Sequence, residues 1–227
     1  MTRTLFQIIA LASLWLWGCQ KPIMKDTKPT FLALGDSYTI GESVAADLRW
    51  PALLQKTLLA KGIPLGSPTI LAKTGWTTDE LQTAMDQFKF NPTYDLVSLL
   101  IGVNNQYRGR SADQYRKEFT SLLSQAITLS GNRPAHVLVV SIPDWGVTPF
   151  AEGRDRAKIA REIDQFNQVN REEAQRAGVL YLDITDISRQ PRPEFIASDG
   201  LHPSGLMYQA WVDRLIQQYP NLLTTWK

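Results

Sequence analysis

Short apolar runs alternate with segments of helical periodicity over most of this chain, and no other feature restricts its fold as strongly. A short, continuous apolar run that ends at a turn is typical of a strand buried in a parallel sheet. Between the runs, apolar residues recur every three or four positions, which is typical of helices that cover such a sheet. Alternating strands and helices form right-handed parallel βαβ units. The alternation therefore predicts an α/β protein, a three-layer α/β/α sandwich.

Five strands are predicted to form one parallel sheet. Thr77 with Glu80, and Ser111 with Gln114, have the spacing of a capping box at the start of a helix. Because neither a repeat nor a change of composition divides the chain, residues 30–227 are expected to form one domain. The predicted strands are 31–34, 68–72, 95–101, 136–142 and 179–184. Helices are predicted at 51–62, 77–88, 111–131, 155–178 and from 204 onwards, with a loop at 39–43.

The charge of the chain argues against a nucleic-acid partner. The 227 residues carry a net charge of +2 with scattered lysines and arginines, whereas nucleic-acid-binding domains concentrate basic residues on one surface. The hydrophobic fraction of 44% is that of an ordinary globular protein that can bury a core. One cysteine and two histidines, far apart in the sequence, do not form the cluster that a zinc site needs. We therefore expect neither a metal nor another cofactor.

The first 18 residues have the layout of a secretory signal. Arg3 precedes an apolar stretch that is shorter than the roughly 20 residues of a membrane-spanning helix. Residues 16–19 resemble the lipobox of bacterial lipoproteins, although Trp17 departs from the small residue usual at its position. This resemblance implies cleavage before Cys19 and a lipid on Cys19. The alternative is an ordinary signal peptide followed by a free thiol.

The resemblance to lipoproteins also implies a location. Residues 19–29 are polar with two prolines, and we interpret them as a tether between the lipid and the domain. The protein is then expected to be exported and held at a membrane, facing the periplasm or the cell exterior. Gln20, in place of aspartate after the cysteine, favours the outer membrane of a Gram-negative cell by the same resemblance.

Polar residues and glycines follow four of the predicted strands. Ser37 follows the first strand, Gly75 the second and Asn104 the third, and Asp199 and His202 follow the fifth. The carboxyl ends of parallel strands meet at one edge of a sheet, which is where ligands bind in open α/β proteins. We therefore expect these five residues to form one site.

The residue types at this edge suit acyl transfer. A serine hydroxyl such as that of Ser37 needs a base to take its proton, and His202 is the candidate because His136 precedes the fourth strand on the opposite edge. Asp199, three residues before His202, is placed to orient the imidazole. Each feature also has an ordinary structural explanation when taken alone, since Asp-x-x-His is a common capping turn.

An oxyanion needs preset hydrogen-bond donors. The backbone N–H groups of Ser37 and Gly75 and the side-chain amide of Asn104 are the candidates. Taken singly, Gly75 and Asn104 are also common turn formers. It is the combination of donors with a nucleophile and a base that favours a catalytic site.

Four short motifs resemble blocks I, II, III and V of the SGNH hydrolase superfamily, also called the GDSL esterases: Gly35-Asp36-Ser37, Gly75, Gly102-x-Asn104 and Asp199-x-x-His202. The resemblance implies a flavodoxin-like fold with strand order 2-1-3-4-5. It implies that Ser37 is the nucleophile, His202 the base and Asp199 its orienting carboxylate. It also implies an oxyanion hole formed by Ser37, Gly75 and Asn104, and a mechanism that needs no metal.

Aromatic residues near these motifs suggest an apolar substrate pocket. Tyr38, Trp76, Trp145 and Phe150 are the candidates for its walls, and aromatic walls suit either an acyl chain or the face of a sugar ring. The expected partner is therefore a small-molecule or glycan ester. We predict a serine esterase with an acyl-ester or lysophospholipase-like substrate. The alternatives are a carbohydrate O-acetylesterase and a binding lipoprotein without catalysis.

Overall fold

A computed structural model of the chain describes residues 28–190 and 192–221. The predicted signal peptide, Cys19 and most of the predicted tether lie outside these residues. Among the described residues, no helix has both the length and the apolar character needed to cross a membrane.

A parallel sheet of five strands forms the centre of the molecule, in the order β2-β1-β3-β4-β5. This arrangement confirms the predicted fold class. The central strands are buried along their whole length because helices cover both faces, which explains why their sequences are continuously apolar. The strands are β1 (Phe31–Gly35), β2 (Thr69–Ala72), β3 (Leu96–Leu100), β4 (Val137–Val140) and β5 (Leu180–Leu182).

Helices cover the sheet on both sides. The helix α2 packs against α8, whereas α5 packs between α3 and α6. The described helices are α1 (Ser37–Ile40), α2 (Trp50–Ala60), α3 (Thr78–Gln87), α4 (Val103–Tyr107), α5 (Ala112–Leu129), α6 (Arg156–Ala177), α7 (Thr185–Ser188) and α8 (Gly205–Gln218).

One of the two predicted capping boxes is present in full. The Glu80 side chain accepts the backbone N–H of Thr77 at 2.9 Å, so α3 begins as predicted. At α5 the predicted capping box was wrong for the second of its two hydrogen bonds. Ser111 Oγ accepts the N–H of Gln114 at 3.2 Å, but the Gln114 side chain donates to Glu118 instead of turning back. A glutamate one turn further along the helix offers a charged acceptor, which explains the difference.

Short helices that the sequence did not predict follow β1 and β3, and the first of them overlaps the loop predicted at 39–43. Residues Ser37–Ile40 form α1, and Val103–Tyr107 form α4. Neither helix exceeds five residues, so neither is long enough to show a helical repeat of apolar residues. These turns matter because they place Ser37 and Asn104 in the first turn of a helix at the edge of the sheet.

Candidate active site

A cavity of about 190 Å³ opens at the carboxyl edge of the sheet. Of the five residues predicted to form the catalytic site, four line this cavity and come from four separate parts of the chain, whereas Asp199 lies behind His202 and is not in the lining. Its walls are largely apolar. The lining residues are Ser37, Tyr38, Thr74, Gly75, Val103, Asn104, Tyr107, Trp145, Phe150, Leu201 and His202.

Ser37 is held where β1 turns into α1. Asp36 caps this short helix, and its Oδ1 accepts the N–H of Tyr38 at 3.0 Å. Gly35 is required just before the turn, since a Cβ there would overlap with the Thr39 hydroxyl and the Leu100 carbonyl oxygen. The glycine thus lets α1 fold back tightly onto the strand ends. Ser37 itself is largely buried, with 4% of its surface exposed at the cavity.

His202 and Asp199 lie in one short loop before α8. Ile196 and Pro203 form an antiparallel bridge that closes this loop, and the N–H of Ala197 donates to the His202 carbonyl at 2.8 Å. Within the loop, His202 Nδ1 lies 2.6 Å from Asp199 Oδ2. Because Asp199 accepts the hydrogen of Nδ1, the other ring nitrogen, Nε2, is free to accept a proton.

Asp199 remains ionised because it is surrounded by donors. Partial burial would raise the pKa of this carboxyl, but it is outweighed by hydrogen bonds from Ser43 and His202 and from the N–H of Leu201. The pKa of Asp199 is therefore held well below its usual range. A carboxylate that stays charged across the physiological range can orient an imidazole and stabilise its protonated form.

Ser43 is a site residue that the sequence did not reveal. It lies in the connection between α1 and α2, and its Oγ donates to Asp199 Oδ2 at 2.6 Å. Its backbone is left-handed, with φ of +63°, which is uncommon for a residue other than glycine. The two residues are 156 positions apart, and no local pattern connects them. The same carboxylate oxygen therefore meets both Ser43 and His202.

Gly75 and Asn104 line the same cavity as Ser37. Gly75 has a φ of +86°, and its carbonyl accepts from Arg108 Nη2 at 2.7 Å. Asn104 Nδ2 donates to the Trp76 carbonyl at 2.9 Å. An amide nitrogen carries two hydrogens, so Asn104 keeps one for a ligand in the cavity. Gly102 begins α4 with a φ of +126°, and a Cβ there would lie 2.6 Å from the Tyr115 ring.

The buried Asn105 ties these two segments together. Its Oδ1 accepts the N–H of Thr78 at 3.1 Å, and its Nδ2 donates to the Thr78 hydroxyl at 2.6 Å. Asn105 belongs to α4 and Thr78 begins α3, so this pair connects the helix that carries Asn104 with the end of the loop that carries Gly75.

Three of the four predicted pocket residues line the cavity. They are Tyr38, whose ring centre lies 5.6 Å from that of His202, together with Trp145 and Phe150. Trp76 is not among the lining residues, and its contribution near the site is the carbonyl that accepts from Asn104. Tyr107, which the sequence did not single out, lines the cavity from α4.

We call Tyr107, Trp145 and Phe150 the aromatic cluster. The ring centres of Tyr107 and Trp145 lie 5.4 Å apart, and those of Trp145 and Phe150 lie 5.9 Å apart. Trp145 is buried, while Tyr107 and Phe150 are 48% and 41% exposed. The cluster therefore reaches from the cavity wall to the surface.

Asp36 has an unusual environment for a carboxyl next to a candidate nucleophile. It is fully buried, and its Oδ2 makes no hydrogen bond within the described part of the chain. Burial raises the pKa of Asp36 to about 7, although the N–H of Tyr38 lowers it. This carboxyl points into the protein and caps α1, in agreement with a structural role.

Arg108 and Arg110 near the edge, and His136 at the opposite edge, have partners of their own. Arg108 contacts Glu80, and Arg110 contacts Asp79 at 2.5 Å. His136 Nδ1 lies 2.7 Å from the Asp95 carbonyl oxygen at the opposite edge of the sheet. Within the described ranges, no three side chains of His, Cys, Asp or Glu are grouped closely enough to hold a metal ion.

Comparisons with known proteins agree on one family. The model of the GDSL-like lipase/acylhydrolase family matches residues 33–210. An arylesterase of Vibrio mimicus is 27% identical over 216 residues, which cover 93% of this chain and 97% of that protein.

Solved structures share the fold at lower identity. A lipase/acylhydrolase from Enterococcus faecalis is 20% identical with a TM-score of 0.67, and the match covers 86% of this chain and 97% of that chain. The acetylxylan esterase Axe2 from Geobacillus stearothermophilus is 19% identical with a TM-score of 0.65, covering 84% of this chain and 93% of that chain.

Proposed function

The chain belongs to the GDSL-like lipase/acylhydrolase family and is an ester hydrolase, and on this basis we propose that it cleaves carboxylic esters through an acyl-enzyme on Ser37. The observation that carries the proposal is the 2.6 Å contact between His202 Nδ1 and Asp199, with His202 and Ser37 in the lining of one cavity. A nucleophile, a base and an orienting carboxylate are the components that serine catalysis requires.

In the proposed reaction, Ser37 Oγ attacks the ester carbonyl and its proton passes to the free ring nitrogen of His202. The negative charge on the carbonyl oxygen is met by the N–H groups of Ser37 and Gly75 and by the remaining amide hydrogen of Asn104. The tetrahedral intermediate expels the alcohol, which takes the proton from His202. Water, activated by the same histidine, then attacks the acyl-enzyme and releases the acid and the free Ser37 hydroxyl.

The cavity supports a small substrate with an apolar or aromatic group. Its volume of about 190 Å³ and the aromatic cluster at its wall suit a short acyl chain or a phenyl ring. The Vibrio mimicus relative is called an arylesterase, which favours an aryl ester over a lysophospholipid. A carbohydrate O-acetylesterase is the second candidate, because aromatic side chains also stack on sugar rings.

The test measures hydrolysis of 4-nitrophenyl esters, with acyl chains of two to sixteen carbons, by wild type and Ser37→Ala. We expect Ser37→Ala to lower kcat by at least about 10³-fold, since the acyl-enzyme cannot form. Ser67→Ala, which alters an exposed serine before β2 at the opposite edge, is the matched control and should retain full activity.

Equal rates for wild type and Ser37→Ala would refute the assignment of Ser37. A wild type that binds esters without cleaving them would support the alternative of a binding lipoprotein. Release of acetate from acetylated xylan at a rate above that from phenyl acetate would favour the carbohydrate esterase.

A further inference from the structure

The aromatic cluster holds a cation of the chain itself. Gly153, with φ of +74°, makes a turn in which the N–H of Arg154 donates to the Ala151 carbonyl at 3.1 Å. This turn places the Arg154 guanidinium 5.2 Å from the ring centre of Tyr107, 5.3 Å from that of Trp145 and 5.1 Å from that of Phe150. All three distances lie within the range of cation–π attraction.

The cluster is held in place by a chain of hydrogen bonds. Trp145 Nε1 donates to Gln106 Oε1 at 2.8 Å, and Gln106 Nε2 donates to Glu162 at 2.7 Å. Gln106 belongs to α4 and Glu162 to α6, so the central ring is fixed from two helices. The guanidinium therefore packs against a ring that is itself held in place, which restricts the Arg154 side chain before a ligand binds and reduces the entropy lost on binding.

The charge of Arg154 is not neutralised by a carboxylate. Within residues 28–190 and 192–221, no carboxylate oxygen lies within 4.0 Å of the Arg154 guanidinium, the limit for an ion pair. The guanidinium donates a hydrogen bond from Nη2 to the Tyr107 hydroxyl at 3.2 Å. Arg108 and Arg110, at the same edge, each have an acidic partner. A guanidinium has five N–H donors, so the exposed Arg154 presents several of them to solvent, beside three rings that line the cavity.

We propose that Arg154 binds an anionic group of the ester substrate, a carboxylate, phosphate or sulfate that lies beyond the scissile bond. The inference rests on the proposed function, because it takes the cavity beside Ser37 as the active site. The planar guanidinium can bind two oxygens of such a group at once. The aromatic cluster would contact the apolar part of the same substrate, so the preferred ester combines an apolar or aromatic body with a negative charge.

The experiment compares esters that differ in charge and little in shape. The first set is 4-acetoxybenzoate, its neutral methyl ester and the cationic 4-acetoxy-N,N,N-trimethylanilinium, which place the charge on the leaving group. The second set is mono(4-nitrophenyl) adipate and neutral 4-nitrophenyl hexanoate, which place it on the acyl group. The variants are Arg154→Gln and Arg154→Lys, and Lys61→Gln removes one exposed positive charge after α2 as the control. Each rate is expressed relative to wild type on the same ester, so the different reactivities of the esters cancel.

We expect Arg154→Gln to lower kcat/KM about 10-fold for the anionic member of at least one set, and to leave the neutral esters unchanged. Arg154→Lys should restore part of the preference because it restores the charge without the planar fork. Added salt should weaken the preference of the wild type. Lys61→Gln should have no effect on either set.

Three results would overturn the inference. One is an equal fall for neutral and anionic esters, which would give Arg154 a structural role only. Another is unchanged rates for both anionic esters. The last is a wild-type rate for the cationic ester that, divided by the rate of its uncatalysed hydrolysis, exceeds the same ratio for the neutral ester, which would mean that the aromatic cluster binds substrate cations in place of Arg154. Failure of the proposed function is recognised separately, because Ser37→Ala would then still cleave the neutral esters.

Discussion

At the scale of single residues, the candidate site depends on how the Asp199 carboxylate is held. Its Oδ2 contacts both His202 and Ser43, and its Oδ1 accepts backbone N–H groups of its own loop. Ser43 joins this loop to the connection after α1, which lies next to Ser37 in the fold. The left-handed backbone of Ser43 is the conformational cost of this contact.

Ser43→Gly separates the hydroxyl from the backbone conformation. Glycine adopts φ of +63° without strain, so we expect the stability of the fold to be retained. Loss of the hydrogen bond to Asp199 should lower kcat about 5-fold with little change in KM, because the orientation of His202 is affected and substrate binding is not. Steady-state kinetics and thermal unfolding measure the two effects. An unchanged kcat would show that the Ser43 hydroxyl does not help to position the carboxylate.

At the scale of secondary structure, two short helices and a buried asparagine place the candidate oxyanion donors. The helices α1 and α4 follow directly from β1 and β3, the neighbouring central strands. Asn105 then ties α4 to the first residue of α3 through two hydrogen bonds. The bonds from Asn104 to the Trp76 carbonyl and from Arg108 to the Gly75 carbonyl connect the same two segments.

Asn105→Ala removes this connection. It leaves the N–H of Thr78 without its acceptor in a buried position, so we expect the free energy of unfolding to fall by about 1–3 kcal/mol. Urea denaturation measures the loss, and Asn91→Ala, at an exposed asparagine, is the control. Activity of the folded variant should also fall, since the segments that carry Gly75 and Asn104 then keep only the bonds from Asn104 to the Trp76 carbonyl and from Arg108 to the Gly75 carbonyl. Stability equal to that of the control variant would contradict this account.

At the scale of the whole molecule, a carboxyl buried at the edge of the sheet makes stability depend on pH. The pKa of Asp36 is raised from 3.8 to about 7 by burial, so the folded chain binds this proton more tightly than the unfolded chain. Folding stability should therefore fall as the pH rises from about 4 to 7. Asp199 acts in the opposite direction. Because its pKa is lowered, its contribution is present above about pH 4 and is lost only as the pH falls further.

Asp36→Asn isolates the first of these two effects. Asparagine keeps an oxygen that can accept the N–H of Tyr38 but has no proton to release. Between pH 5 and 8 the free energy of unfolding should therefore fall by roughly 2–4 kcal/mol less in Asp36→Asn than in wild type. Chemical denaturation at the two pH values measures the difference, with Asp47→Asn, at an exposed aspartate, as the control. An identical pH dependence in wild type and Asp36→Asn would show that Asp36 is ionised in the folded protein throughout this range.

Much of the architecture could be predicted because burial leaves a local record. Strands β1, β3 and β4 are covered on both faces and are apolar along their length, and the helices between them have a covered and an exposed side. The predicted strand ends differ from the observed ones by one or two residues, since apolar residues continue past the last paired residue, as at Ile101 and Ile142. The candidate nucleophile and oxyanion donors could be located because they lie within a few residues of strand ends, and the candidate base because it lies in the connection between the last strand and the last helix.

The sequence by itself thus determined the layers, the strands and the residues carried to one edge of the sheet, since hydrophobic periodicity reports burial and parallel strands bring their ends together. Only the tertiary structure decided which side chains meet across loops: Ser43 with Asp199, and Arg154 with the aromatic cluster. Such contacts depend on turns of the backbone, as at Gly41 and Gly153 where φ is positive, and on packing between distant segments. No pattern within a window of neighbouring residues records them.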